Sequence, residues 1–180
     1  MRKLALCGSL VAALLVAVGM YAVASSGSAG KKDVTADTLT GYQEATPAGV
    51  SSGGTGSFSA TIDDEAETIT FELRYSGLSA PAIQAHVHFG NRYDSGGISA
   101  FLCGPGHQAC PEGTTSEAVV TGTITPADII GPASQGIAAG EFGELADAIR
   151  AGVTYANVHT GTFPAGEIRG QIDDNDQRQP

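Results

Sequence analysis

Ser57-Phe58-Ser59-Ala60-Thr61-Ile62 and Ile69-Thr70-Phe71-Glu72-Leu73-Arg74-Tyr75 decide the fold of this chain. In the first segment Phe58, Ala60 and Ile62 alternate with Ser and Thr. In the second, Ile69, Phe71, Leu73 and Tyr75 alternate with Thr70, Glu72 and Arg74. A period of two puts successive side chains on opposite faces of a strand, one apolar and one polar. Asp63-Asp64-Glu65-Ala66 between them is a polar turn. Two such runs joined by a short turn predict an antiparallel hairpin.

Working outward, Val34 to Tyr42 is strand-like and leads into a Pro-, Gly- and Ser-rich loop that ends at Gly56. Ser76 to Pro81 breaks the chain before a strand over Ile83 to Phe89. Further strands are predicted at Ile98–Leu102, Ala118–Thr125, Val153–His159 and Glu167–Ile172. Thr125-Pro126-Ala127-Asp128 starts a short helix with a capping Thr and Pro at its first position. Phe142 to Arg150 places Phe142, Leu145, Ala146 and Ile149 on one helical face, and Gly152 stops it. Many short strands with Gly-rich turns predict an all-β fold, an immunoglobulin-like or Greek-key antiparallel β-sandwich or barrel with one or two short helices. The expected domain spans residues 34–172, after a polar linker over 25–33 and before an acidic, disordered tail over 173–180.

Met1-Arg2-Lys3 precedes 21 uncharged residues, Leu4 to Ala24, and Ala22-Val23-Ala24 fits a small-x-small cleavage site. Residues 1–24 therefore read as a signal peptide, with an uncleaved N-terminal anchor as the alternative. Either places the domain outside the cytoplasm: secreted, periplasmic or at the cell surface. The whole chain carries 9 basic and 19 acidic residues. Without Arg2 and Lys3, seven basic residues face nineteen acids, a net charge of −12. Nucleic-acid binding needs basic clusters and is excluded, and docking to anionic lipid is disfavoured. An oxidising compartment favours a disulfide between Cys103 and Cys110 across Gly-Pro-Gly-His-Gln-Ala. The competing reading, a Cys/His metal site using His107, lacks a second cysteine pair.

The candidate chemistry lies in His86-Val87-His88. On a strand, Ile83, Ala85, Val87 and Phe89 take one face and Gln84, His86 and His88 the other. Two imidazoles on one rigid face suit a transition metal, and His159 in Asn157-Val158-His159-Thr160 offers a third ligand. A solvated polar face is the competing account of the same residues. Glu167 and Arg169 on the last strand are either a ligand or anion contact or a cross-strand ion pair. Asp63-Asp64-Glu65 and Asp173-Asp174-Asn175-Asp176 lack the spacing and Gly of a calcium loop. No nucleophile elbow, phosphate loop or dinucleotide fingerprint is present, so no catalytic residue is assigned.

Taken together, Leu39-Thr40-Gly41-Tyr42-Gln43-Glu44, Gly54-Thr55-Gly56, Ala85-His86-Val87-His88-Phe89-Gly90, Asn157-Val158-His159-Thr160 and Gly166-Glu167-Ile168-Arg169-Gly170-Gln171-Ile172 resemble the CHRD domain family. That family was first described in chordin and is found in exported bacterial proteins. Ala45-Thr46-Pro47 departs from the family's Val-Pro-Pro run. The resemblance implies an immunoglobulin-like β-barrel. In chordin the domain belongs to a protein that binds growth factors, a role that does not transfer with the fold. A shorter likeness joins His86-Val87-His88-Phe89-Gly90 to the copper-binding strand of copper–zinc superoxide dismutase. It implies copper at His86 and His88, His159 as a third ligand and Arg169 as an anion guide. No zinc loop follows, and no bridging histidine exists unless His107 serves, so the likeness extends to one copper and no zinc. The expected function is a non-enzymatic extracellular binding module for a protein or matrix partner. The alternative is a mononuclear copper protein with redox or dismutase-like activity. Bound metal separates the two, and imidazoles of His86, His88 and His159 set far apart would end the metal reading.

Overall fold

A computed structural model describes residues 31–46 and 48–174, without the side chains of Asp173 and Asp174. The expected signal peptide or anchor, most of the linker and residues 175–180 of the expected tail lie outside the described residues. The strands are β1 (Lys32–Thr40), β2 (Thr55–Asp63), β3 (Thr68–Ser76), β4 (Ala82–Phe89), β5 (Gly97–Cys103), β6 (Ala118–Ile124), β7 (Thr154–Thr160) and β8 (Ile168–Asp174). They form one eight-stranded antiparallel sheet in the order β5-β4-β7-β8-β1-β2-β3-β6, curled into a nearly closed barrel. Among the described residues one α-helix, α1 (Phe142–Arg150), and three short 3-10 turns complete it.

The hairpin forms in the predicted register, with Phe58 opposite Leu73, Ala60 opposite Phe71 and Ile62 opposite Ile69. Its turn sits one residue later than the sequence suggested. Asp63 stays in the strand and accepts a hydrogen bond from Ala66 N at 3.1 Å, and Glu67 takes the left-handed conformation at φ 50°. β8 likewise runs two residues past the expected end of the domain, because Thr35 and Val34 of β1 pair with Asp173 and Asp174. β1 begins at Lys32, inside the expected linker, where it pairs with Ile62. The helix expected after Thr125 is a single 3-10 turn over Pro126–Asp128, with Asp128 accepting from the Thr125 hydroxyl and amide.

Aliphatic side chains from all eight strands and α1 form one core, including Leu39, Ile62, Leu73, Ala85, Val87, Leu102, Val158, Ile168 and Ile172. α1 buries Phe142, Leu145, Ala146, Ala148 and Ile149. Its last turn is pinned by Arg150, whose Nη2 donates to both oxygens of Asp64 in the hairpin turn at 2.7 Å.

β5 and β6 are the two edges of the sheet, and an open edge invites pairing with other chains. Two devices cover this one. The segment after β6 crosses to β5, making an Ala100–Ile129 bridge and an Ile130 N to Ser99 O bond of 2.9 Å. The loop enclosed by the Cys103–Cys110 disulfide sends Gln108 Nε2 to Leu102 O on one edge (3.1 Å) and Thr121 O on the other (3.0 Å). Gln108→Ala is expected to lower the free energy of unfolding by about 1 kcal/mol. A urea midpoint unchanged from wild type would show that this amide does not hold the seam.

Candidate metal centre

The alternation read on β4 holds, since Ala85 and Val87 enter the core while His86 and His88 take the opposite face. That face is not solvated. His86 is 0% exposed, and His88 and His159 are also buried. Two loops and the turn after β7 cover it, which the strand pattern alone does not reveal. Ile83, placed on the apolar face by alternation, is instead exposed near the start of the strand. Pairing of β4 with β7 sets His86 opposite Asn157, His88 opposite Tyr155 and Gln84 opposite His159. Residues directly opposite share a face, so the third histidine comes to the other two by register. One nitrogen from each of His86, His88 and His159 lies within 4.8 Å of the others.

The hydrogen bonds determine where the imidazole protons sit. Pro164 O can only accept, so His159 Nδ1, 3.1 Å away, carries a proton. With the ring neutral, His159 Nε2 is then a bare lone pair. His86 Nδ1 lies 3.1 Å from it and must donate. His86 Nε2 is therefore bare as well. His88 Nδ1 donates to Gly96 O at 3.0 Å, leaving its Nε2 bare. His86 Nε2 and His88 Nε2 are both buried without a hydrogen-bond partner. An unmet buried acceptor costs about 1–3 kcal/mol, and two in one cluster need an explanation.

Burial holds all three rings neutral. It pushes His86 down to about 3 and His88 to about 4, with the neighbouring imidazoles adding to the effect. It also lowers His159. Metal-binding histidines commonly donate the other ring N–H to a carbonyl, which fixes the tautomer and aims the lone pair. His88 and His159 do this already. A metal–nitrogen distance near 2.0 Å puts tetrahedral ligand atoms about 3.3 Å apart, close to the 3.1 Å between His86 Nδ1 and His159 Nε2. As the protons stand, His159 Nε2 is occupied by the His86 Nδ1–H, so a three-histidine set forms once that proton moves and the facing His86 Nδ1 and His159 Nε2 both become free. The donor group is three neutral imidazoles, which suits copper, zinc or nickel.

The surrounding groups are fixed with equal care. His88 stacks on Tyr155 at 4.7 Å and 3°, and His86 meets Phe101 edge-on at 4.4 Å. Gly96 serves the site twice, since its carbonyl receives His88 and its N–H donates to Tyr155 Oη at 3.0 Å. A Cβ there would collide with Phe89 O. Arg169 is 2% exposed, with its guanidinium over the Tyr155 ring and donating to Asp94 O (2.8 Å) and Asn91 O (2.5 Å). Asn157 Nδ2 donates to Glu44 Oε1 at 2.7 Å and to Ile168 O at 2.8 Å. Burial raises the Glu44 carboxyl to about 7, although Asn157 and Arg169 pull the other way. Gly166, at φ 131°, leaves room for that carboxyl, since a Cβ would come within 2.8 Å of both oxygens.

The structure therefore gathers His86, His88 and His159 and leaves His107 outside, exposed and stacked on Phe101 at 4.9 Å. Cys103 and Cys110 form the disulfide, which is compatible with an extracellular or periplasmic setting. Glu167 and Arg169 each take hydrogen-bond partners of their own. β8 begins one residue after Glu167, whose carboxylate receives Ser79 N, Ser79 Oγ and Thr160 Oγ1 at 2.7–2.8 Å. Arg169 braces the 91–94 loop over the histidines. Tyr155, Glu44, Gly96 and Pro164 were not identified from sequence as parts of the site. The same alternation that places His159 would have found Tyr155, but the loop carbonyls leave no pattern. A family model of the CHRD domain matches residues 35–172. No curated protein and no solved structure matches the chain.

The opposing shifts in this cluster give a pH signature. The histidines titrate below their unfolded value of 6.5, so their stabilisation is full above pH 6.5 and is lost as pH falls toward 4, by about 1.4 kcal/mol per unit for each ring. Glu44 titrates above its unfolded value, so its contribution is full at low pH and is lost as pH rises from 4.5 through 7. Between those limits two or more histidines outweigh one carboxyl. Wild-type stability should fall on acidification from pH 6.5, and Glu44→Gln should make that fall steeper by about 1.4 kcal/mol per unit. Urea unfolding at pH 6.5, 5.5 and 4.5 measures both slopes. A flat wild-type profile would show that these rings are not held neutral by burial.

Proposed function

The chain belongs to the CHRD domain family, and on that premise we propose that it is an exported, non-enzymatic binding domain that holds one transition-metal ion, copper by preference, at His86, His88 and His159. The observation that carries this reading is the pair of buried, partnerless Nε2 atoms beside a third imidazole, with two of the rings oriented by backbone carbonyls. Among divalent ions a nitrogen donor set favours copper by the general affinity order. With the rings already neutral, protons compete with the metal only at acidic pH. The bound ion would supply a redox-capable or Lewis-acidic centre, and the chain supplies the ring orientation, a water-poor surround and the positive charge of Arg169 nearby. Export rests on the basic, then apolar N-terminal segment and agrees with the disulfide.

The test is a copper titration of the protein purified from the periplasm of an expression host, followed by calorimetry, elemental analysis and electron paramagnetic resonance. One equivalent with nitrogen hyperfine structure is expected. His88→Gln keeps the volume of the ring, and should weaken binding beyond the ~10–100-fold typical of losing an outer partner. Copper at a hundred times its Kd should stabilise wild type by about 2.7 kcal/mol and the variant far less. A folded wild-type protein that retains no metal overturns the proposal.

A further inference from the structure

A second site lies on the outside of the covering loops. We propose that the cleft between residues 42–45 and 48–49 on one side and Arg92 and Tyr93 on the other binds a neutral carbohydrate. This proposal goes beyond the metal reading and does not depend on it.

The cleft has a volume of about 490 Å³ and is lined by Tyr42, Gln43, Glu44, Ala48, Arg92 and Tyr93 among others. That size lies within the usual range for small-ligand sites. Tyr42 and Tyr93, at 77% and 86%, are the most exposed large apolar side chains of the described residues, and both face this one cavity. Exposing two aromatic rings forgoes their burial, and an amphipathic ring beside a polar pocket is a binding platform. Sugar rings match it, with an apolar C–H face to stack on a ring and hydroxyls at the edge for polar neighbours.

Those neighbours are in place and held. Glu44 is 6% exposed, lines the cleft and is bonded to Asn157. Gln43 Nε2 donates to Thr38 O at 2.7 Å, and its Oε1 receives Arg92 Nη1 at 3.4 Å. The two loops are tied to each other by Thr46 Oγ1 and Ser95 Oγ at 2.6 Å. Loop 41–50 closes on itself through Val50 N to Gly41 O at 2.7 Å, and Arg169 grips the carbonyls of Asn91 and Asp94. Walls fixed in this way lose little freedom on binding. The ligand is neutral because the chain is strongly acidic overall, which disfavours anionic polymers.

The test uses the exported protein in excess EDTA, so that metal binding does not enter. Cellohexaose, maltohexaose, chitohexaose and mannohexaose are the neutral probes, polygalacturonate is the anionic one and decaproline represents an extended peptide. The chain has five Tyr and no Trp, so tyrosine fluorescence and saturation-transfer NMR both report on the cleft. At least one neutral oligosaccharide should bind, and Tyr42→Ala and Tyr93→Ala should each weaken it by about tenfold. Both side chains are exposed, so the variants should unfold as wild type does, whereas Val119→Ala on the opposite sheet edge should bind normally. The proposal is overturned by no neutral probe binding at about 10 mM, by binding undiminished in the double tyrosine variant, or by binding confined to polygalacturonate or to decaproline.

Discussion

A hydrogen bond of 3.1 Å from His159 Nδ1 to the carbonyl of Pro164 sets the order of protons through the whole histidine cluster. Because that carbonyl cannot donate, His159 Nε2 must be the acceptor for His86, and His86 Nε2 is left bare. The same logic at Gly96 leaves His88 Nε2 bare. Two loop carbonyls thus turn three ambivalent imidazoles into a set of lone pairs with defined direction. Nothing in the strand backbone alone could do so, since strand register controls which side chains meet and not which nitrogen carries the proton.

Burying such a set has a cost, and the neighbouring residues limit it. Arg169 lies over Tyr155, on which His88 stacks, and its guanidinium donates to the carbonyls of Asn91 and Asp94 in the loop. Glu44 accepts from Asn157, which stands opposite both His86 and Arg169 in the sheet. The loops are therefore bound to the sheet through polar contacts as well as by packing. Buried networks of this kind are stabilising when every member is satisfied and costly where one is not. His86 Nε2 and His88 Nε2 are left without a partner, on rings that each bring one nitrogen within 4.8 Å of the others and of His159. A folded chain that tolerates that cost without a ligand gives up stability for a pre-formed site, a pattern common at functional positions.

Much of the fold was legible because period-two alternation is a direct consequence of strand geometry. Phe58, Ala60 and Ile62 had to face Ile69, Phe71 and Leu73, and they do. Phe142 to Arg150 had to form a helix with one apolar face, and it spans those residues. The family, from 35 to 172, was also legible in five short motifs. The His-x-His pattern identified two members of the cluster and the β7 motif a third. Three things were hidden. The burial of the polar face depends on the 41–50 and 91–95 loops folding back, which no periodicity encodes. The roles of Gly96 and Pro164 are carried by backbone oxygens, which every residue has. The separation of Glu167 from Arg169 follows from where β8 begins, a boundary that hydrogen bonding decides.

The most direct test of this account is the tautomeric state of the metal-free protein, read by long-range ¹H–¹⁵N NMR of its histidines at neutral pH. The geometry requires His86, His88 and His159 to be neutral, each with the proton on Nδ1 and an unprotonated Nε2, the reverse of the form free imidazole side chains favour in water. His107, exposed on the disulfide loop, serves as the internal reference. Three Nδ1–H rings that persist on mild acidification are the expected result. Finding His86 or His88 charged, or protonated on Nε2, would contradict the arrangement on which the proposed metal site rests.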